Sequence, residues 1–232
     1  MSQCVAEQMR GAVVVMAKAP RKGTVKTRLG GVHPPCDVVQ LSECMLCDTV
    51  ALVQALPCVH AAVMCPEGDV GEIASRLPMG VHVVGQEGEG LAAALGSAFA
   101  RFVPDFGRVI AIDSDSPHLP SSILDSAFAR LETSDVVVGP TEDGGYYLVG
   151  ASAIHPRLFD SAPLGTCNAR DALQACAAAL RLSIGFTEPF YDVDVAADLR
   201  RLAADLRYEP ERAPRTAAFL ASWERTAGAR AG

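Results

Sequence analysis

Short runs of apolar, largely β-branched residues recur along the chain. Longer stretches with apolar positions at helical spacing separate them. Val13–Met16, Val59–Met64, Val81–Val84, Val109–Ile112, Val136–Val138 and Tyr146–Val149 read as strands. Val38–Leu56, Val70–Leu77, Leu91–Phe102, Ser121–Leu131, Asn168–Leu180 and Ala196–Leu206 read as helices, the third with a stripe through Leu95, Phe99 and Phe102. Pro57 ends the first helix, and Ser121 after Pro120 is the candidate cap of the fourth. Such alternation predicts an α/β fold whose sheet is mainly parallel and covered on both faces. No fixed-period repeat and no linker-like segment divides the chain. The expected organisation is one domain over 1–232, with a core from about 12 to 206 and a terminal helix or tail over 207–232. In open α/β sheets, ligands sit beyond the carboxyl ends of the strands, which is where chemistry is sought.

Composition narrows the function classes. Half of the 232 residues are hydrophobic and a fifth are charged, which excludes a disordered or fibrous chain. A net charge of −7 argues against nucleic acid or an anionic membrane surface as partner. No apolar run approaches the ~18 residues that span a bilayer. "GAVVVMAKAP" has the look of a secretion signal, but Glu7 accompanies Arg10 before a short apolar run. It is read as a buried first strand, and the expected location is cytoplasmic. Eight cysteines include a C-x-x-C at Cys44 and Cys47, placed inside a predicted helix and lacking a second pair to complete a zinc site. They are read as small apolar residues of a reducing compartment.

Charge is segregated, and this directs attention to three clusters. After the first strand, "MAKAPRKGTVKTRLG" holds Lys18, Arg21, Lys22, Lys26 and Arg28 with no acid, a local +5 within a chain of −7. Gly23 loosens this loop and Pro20 stiffens it. Its amides and cations suit phosphate oxygens, although the Walker spacing is absent. After the fourth strand, "IAIDSDSPHLP" carries Asp113 and Asp115, two carboxylates able to face one divalent cation beside a diphosphate. His118 in the same turn is expected to be solvated. The third cluster has two parts. Glu142 and Asp143 precede Gly144 and Gly145 in "PTEDGGYYLVG"; Asp192 and Asp194 lie in "FYDVDVAADL", where Asp194 is also a candidate cap for the following helix.

"MAKAPRKGTVKTRL", "DSDSPHLP", "GPTEDGGYYLVG" and "DVDVAADLRRL", in this order, resemble a family of GT-A-fold transferases. Its members carry labels such as nucleotide-diphospho-sugar transferase, radical-SAM/selenodomain-associated transferase and arsenosugar-biosynthesis glycosyltransferase. The resemblance runs from about Val13 to Leu202. It implies a Rossmann-like three-layer α/β/α domain with a mixed, mainly parallel sheet. Lys18, Ala19, Pro20, Gly23, Lys26, Thr27 and Arg28 would contact nucleotide phosphates. Asp113 and Asp115 would hold Mg²⁺ or Mn²⁺, joined by Asp192 and Asp194. Asp143, Gly144, Gly145 and Thr166 would approach the acceptor or sugar. The chain departs from the pattern twice. Leu91, Ala92, Ala93 and Ala94 stand where relatives often carry Leu-Gly-x-Arg. Leu164 and Gly165 precede Thr166 where they often carry a tryptophan before Ser-Thr.

The leading expectation is a metal-dependent glycosyltransferase acting on a nucleotide-sugar donor and a small-molecule acceptor. Lys26 and Arg28 would share the leaving-group charge, and, if the reaction inverts, Asp143 would deprotonate the acceptor hydroxyl. The same loop and carboxylates suit a nucleotidyltransferase that moves a nucleoside monophosphate onto a phosphorylated acceptor and releases pyrophosphate. A non-catalytic nucleotide-binding domain is the third reading.

Overall fold

The computed structural model describes residues 9–29, 33–159 and 168–231. Seven strands form one sheet: β1 (Gly11–Met16), β2 (Val59–Pro66), β3 (His82–Gln86), β4 (Val109–Asp113), β5 (Val136–Pro140), β6 (Tyr146–Ala151) and β7 (Ile184–Phe186). Their order is β3-β2-β1-β4-β6-β5-β7. Every pairing is parallel except those of β6, which runs antiparallel to both β4 and β5. The expected mixed, mainly parallel α/β fold is therefore the one observed. β7 is the element that the apolar pattern did not show, since three residues are too few to display a period.

Seven helices complete the chain: α1 (Pro35–Gln54), α2 (Val70–Arg76), α3 (Gly90–Phe106), α4 (Ser121–Arg130), α5 (Ala169–Ala179), α6 (Ala196–Tyr208) and α7 (Pro214–Ala231). Alternate residues of each strand face opposite sides. Val13, Val15, Ile110 and Ile112 pack with α1, α2 and α4 through Leu46, Val50, Ile73, Leu124 and Phe128. Val14, Met64, Val109 and Ala111 pack with α3 and α5 through Leu95, Phe99, Phe102 and Leu173. A third apolar cluster joins Leu41 and Met45 of α1 to Leu199, Leu202 and Leu206 of α6 and to Leu220 of α7.

Two local expectations are corrected. Ser121 does not cap α4; Pro120 occupies that position and no side chain bonds the first turn. Asp194 does not cap α6 either. Asp198, inside the first turn, accepts from the Asp194 and Val195 amides at 3.0 and 2.8 Å. The expected terminal helix is α7, whose described buried positions lie in its first half. Asp48 of α1, nearly fully buried, accepts from the Thr216 amide and hydroxyl, both at 2.8 Å, and so holds the first turn of α7.

Among the described residues, no helix is long and apolar enough to cross a membrane. Cys44 and Cys47 lie within α1, and burial pushes the Cys44 thiol up to about 11, aided by the charge of Asp48. Burial of this kind disfavours the thiolate, the form in which a cysteine acts as a redox nucleophile. Cys4 and Cys167 lie outside the described residues.

Candidate active site

The strand tips place the clusters. Met16 of β1 is level with Met64 of β2 and with Asp113 of β4, so the loops after β1 and β4 begin side by side. A third segment reaches them from the far edge of the sheet. Thr187 donates its amide to Val138 O, and Phe190 to Pro140 O, at the end of β5. The chain then crosses to β4, where the Val193 amide donates to Asp115 O and the Ser116 hydroxyl to Tyr191 O. Asp192 thereby arrives at the tip that carries Asp113 and Asp115.

The cationic loop is a clamp as well as a phosphate candidate. Arg21 forms ion pairs of 2.6 Å with both Asp69 and Glu72, and Asp69 Oδ2 also accepts the Ala19 amide at 2.9 Å. Arg21 is thus committed to holding the loop against β2 and α2. Pro20 is buried, Gly23 has φ +77°, and Thr27 is exposed. Arg28 pairs with Asp194 at 2.8 Å. Lys26, at φ +48°, pairs with Asp115 at 2.7 Å and donates to Val193 O. Lys18 is exposed along the cleft wall.

The acids are not equivalent. Burial, followed by the charges of Asp115 and Asp192, holds the half-buried Asp113 above the usual carboxylate range. Asp192 is raised as well, mainly by burial. Among the described residues, no group of three or more His, Cys, Asp or Glu is gathered as a self-sufficient metal cage. Asp113, Asp115 and Asp192 could supply no more than part of a coordination shell, the rest having to come from substrate phosphates and water. Asp194 is turned to Arg28.

Asp143 belongs to a tight turn. Its Oδ1 accepts from the Thr141 hydroxyl at 2.5 Å and from the Gly145 amide at 3.1 Å. The Thr141 bond, the Gly145 amide and the charge of Arg28 hold its carboxyl below the usual range. Gly144 has φ +93°, and a Cβ on Gly145 would lie 2.8 Å from Thr141 Oγ1, so both positions require glycine. Thr166, with Leu164 and Gly165, lies outside the described residues. His118 is not solvated. It is 2 % exposed, both ring nitrogens lack a hydrogen-bond partner, and burial pushes it down to about 4.

A cleft of about 840 Å³ opens over the tips of β1, β2, β3 and β4, within the size range of small-molecule sites. Lys26, Ser114 and Asp115 line one end; Pro66, Glu67, Gln86 and Gly88 line the other, with Lys18 between them beside the end of β2. Ala94, where the family pattern has arginine, is buried in the wall. Asp69, Glu67 and Gln86 did not stand out in the sequence. Their only signal was position, directly after or at the ends of predicted strands.

The fold is that of a transferase related to nucleotidyltransferases and GT-A-like sugar transferases. The chain belongs to the family described as "Uncharacterized protein conserved in bacteria (DUF2064)", whose model matches residues 49–166. It is 30% identical over 178 residues to the 2-phospho-L-lactate guanylyltransferase of Methanothermobacter thermautotrophicus, covering 75% of this chain and 76% of that protein. A crystal structure from Desulfovibrio desulfuricans, provisionally described as a nucleotide-diphospho-sugar transferase, matches with a TM-score of 0.85 at 25% identity, over 93% of this chain and 96% of that one. The Rv0371c protein of Mycobacterium tuberculosis, solved with manganese, shares the fold with a TM-score of 0.54 at 18% identity, over 83% and 97% of the two chains.

Proposed function

We propose that the protein is a metal-dependent nucleotidyltransferase. An oxygen of a phosphorylated acceptor attacks the α-phosphorus of a nucleoside triphosphate; the bond to the β-phosphate oxygen breaks and pyrophosphate leaves. The observation that carries this reading is the adjacency, at neighbouring strand tips, of Lys18 and Lys26 with Asp113 and Asp115. Polyphosphate charge and a divalent cation need that adjacency. Asp113, Asp115 and Asp192 would hold Mg²⁺ or Mn²⁺, which when bound offsets phosphate charge. Lys26 is placed to exchange Asp115 for a phosphate oxygen, and Lys18 is free to meet another.

The glycosyltransferase reading is second. It keeps the support of the Desulfovibrio description. It also needs a base for a neutral hydroxyl, and Asp143 is held below the usual carboxylate range. A phosphate acceptor is already an anion and needs no such base. The guanylyltransferase relative points the same way.

The test is product analysis. Pyrophosphate from a nucleoside triphosphate, with Mg²⁺ or Mn²⁺ and a phosphorylated acceptor (2-phospho-L-lactate first), supports nucleotidyl transfer. Free nucleoside diphosphate from a nucleotide sugar, with no pyrophosphate from triphosphates, overturns it.

A further inference from the structure

We propose that the β2–β3 end of the cleft is a guanine-selective subsite and that Glu67 is its specificity-determining residue. The inference rests on the nucleotidyl-transfer reading.

The cleft is electrically bipolar. Lys26, paired with Asp115, stands at the β4 tip, whereas Glu67 follows β2 at the opposite end, with Lys18 between them beside the end of β2. Triphosphate belongs beside Lys26 and is repelled by the Glu67 carboxylate. β2 is two strands from β4 in the sheet, roughly 10 Å at ~4.8 Å per strand. A nucleoside anchored by its phosphates at the β1–β4 tips therefore carries its base to Glu67.

The β2–β3 end offers acceptors. Pro66 is level with Gln86, so Glu67 begins where β3 ends. A Cβ built on Gly85 would lie 1.6 Å from Glu67 Oε2, so the carboxylate rests directly over Gly85. Glu67 makes no side-chain hydrogen bond or ion pair with the described residues. Gln86 Nε2 is engaged with the carbonyls of Gly88 and Gly90 at 3.0 and 3.4 Å, which leaves its Oε1 as an acceptor.

The pairing edges of the bases differ in what they present to a carboxylate. Guanine offers two adjacent donors, N1–H and the 2-amino group, which match the two carboxylate oxygens. Adenine and cytosine each set one amino group beside a ring-nitrogen acceptor. Uracil sets one N–H between two carbonyls. Each of these three turns an acceptor toward the carboxylate and leaves part of the array unpaired.

The test measures the affinities of GTP, ITP, ATP, CTP and UTP with Mg²⁺ by titration calorimetry, alongside pyrophosphate release. GTP is expected to bind ~100-fold tighter than ATP, and ~10-fold tighter than ITP, whose base lacks the 2-amino group. Glu67→Gln is expected to bring GTP and ITP to near equality and to strengthen ATP binding, because a carboxamide offers adenine one donor and one acceptor; Glu67 is exposed, so the fold persists. Gly85→Ala, which displaces the carboxylate with Glu67 still present, should reproduce that loss. GTP and ATP binding within threefold of each other, or a full GTP preference in Glu67→Gln, overturns the guanine assignment and leaves nucleotidyl transfer standing if pyrophosphate appears. Wild-type protein that binds no triphosphate overturns both.

Discussion

Lys26 Nζ lies 2.7 Å from Asp115 Oδ2 with its side chain 4 % exposed, and it also donates to the Val193 carbonyl. One ammonium group therefore joins the loop after β1, the loop after β4 and the segment that delivers Asp192. The backbone at Lys26 is held at φ +48°, a region non-glycine residues occupy at a cost and one that recurs at functional sites.

Lys26→Ala is expected to weaken triphosphate binding by ~10- to 100-fold and to flatten its dependence on salt, because the lost contribution is electrostatic. Titrations at two ionic strengths check this. Unchanged affinity would return the loop to a solvated surface role.

Asp113→Asn separates catalysis from stability. The wild-type carboxyl is raised, so the folded protein holds its proton more tightly than the unfolded chain does. That contribution is present at low pH and is lost as pH rises from the ordinary carboxylate range through the folded value. At pH 7 the variant should be as stable as wild type or more so, by up to about 1 kcal/mol. Metal-dependent pyrophosphate release should fall at least ~100-fold. Denaturant melts and a coupled pyrophosphate assay read the two effects. An active variant removes Asp113 from the site.

His118 predicts a pH dependence of opposite sign. It is faced by Asp205, whose Oδ2 is 3.9 Å from Nε2, and by Arg201 and Arg212, and burial lowers it to about 4. Below its ordinary value near 6.5 the unfolded chain binds a proton that the folded protein refuses. Stability should therefore fall as pH drops from about 6.5 toward 4, by up to roughly 3 kcal/mol from this group. Denaturant unfolding of wild type and His118→Gln across that window should show a shallower slope in the variant. Equal slopes would assign the acid loss to other groups.

Asp48→Ala should cost about 2–3 kcal/mol, since it strips acceptors from the buried Thr216 amide and hydroxyl. The loss should appear as early amide exchange in α7 with the sheet still protected. Uniform loss across the molecule would mean that α7 is not separately anchored by this contact.

Much of the architecture was legible because burial on both faces of a parallel sheet leaves β-branched runs, and one-sided burial leaves helical stripes. β1, β2, β4, β5 and β6 and the helices α1, α3 and α6 carry these signatures. The +5 loop and the Asp113/Asp115 pair were legible for a related reason: charges placed directly after apolar strands must sit at strand tips. β7 left no period to read, and the antiparallel course of β6 is not encoded in its alternation. It follows from where the short turn between β5 and β6 sends the chain.

What the sequence by itself determined is therefore local: which segments are apolar, at what period, and where charge collects. What only the tertiary structure decided is pairing. Arg21 is taken by Asp69 and Glu72, Arg28 by Asp194, and Lys26 by Asp115, over separations of about fifty to one hundred and sixty residues. His118 is buried because Phe190 and Tyr191 pack on it, and the Glu67 carboxylate rests over Gly85 of the next strand. The physical reason is range. Hydrophobic period and strand-end position are properties of neighbouring residues, whereas solvation, ion pairing and cavity shape arise only when distant segments are brought within a few ångströms.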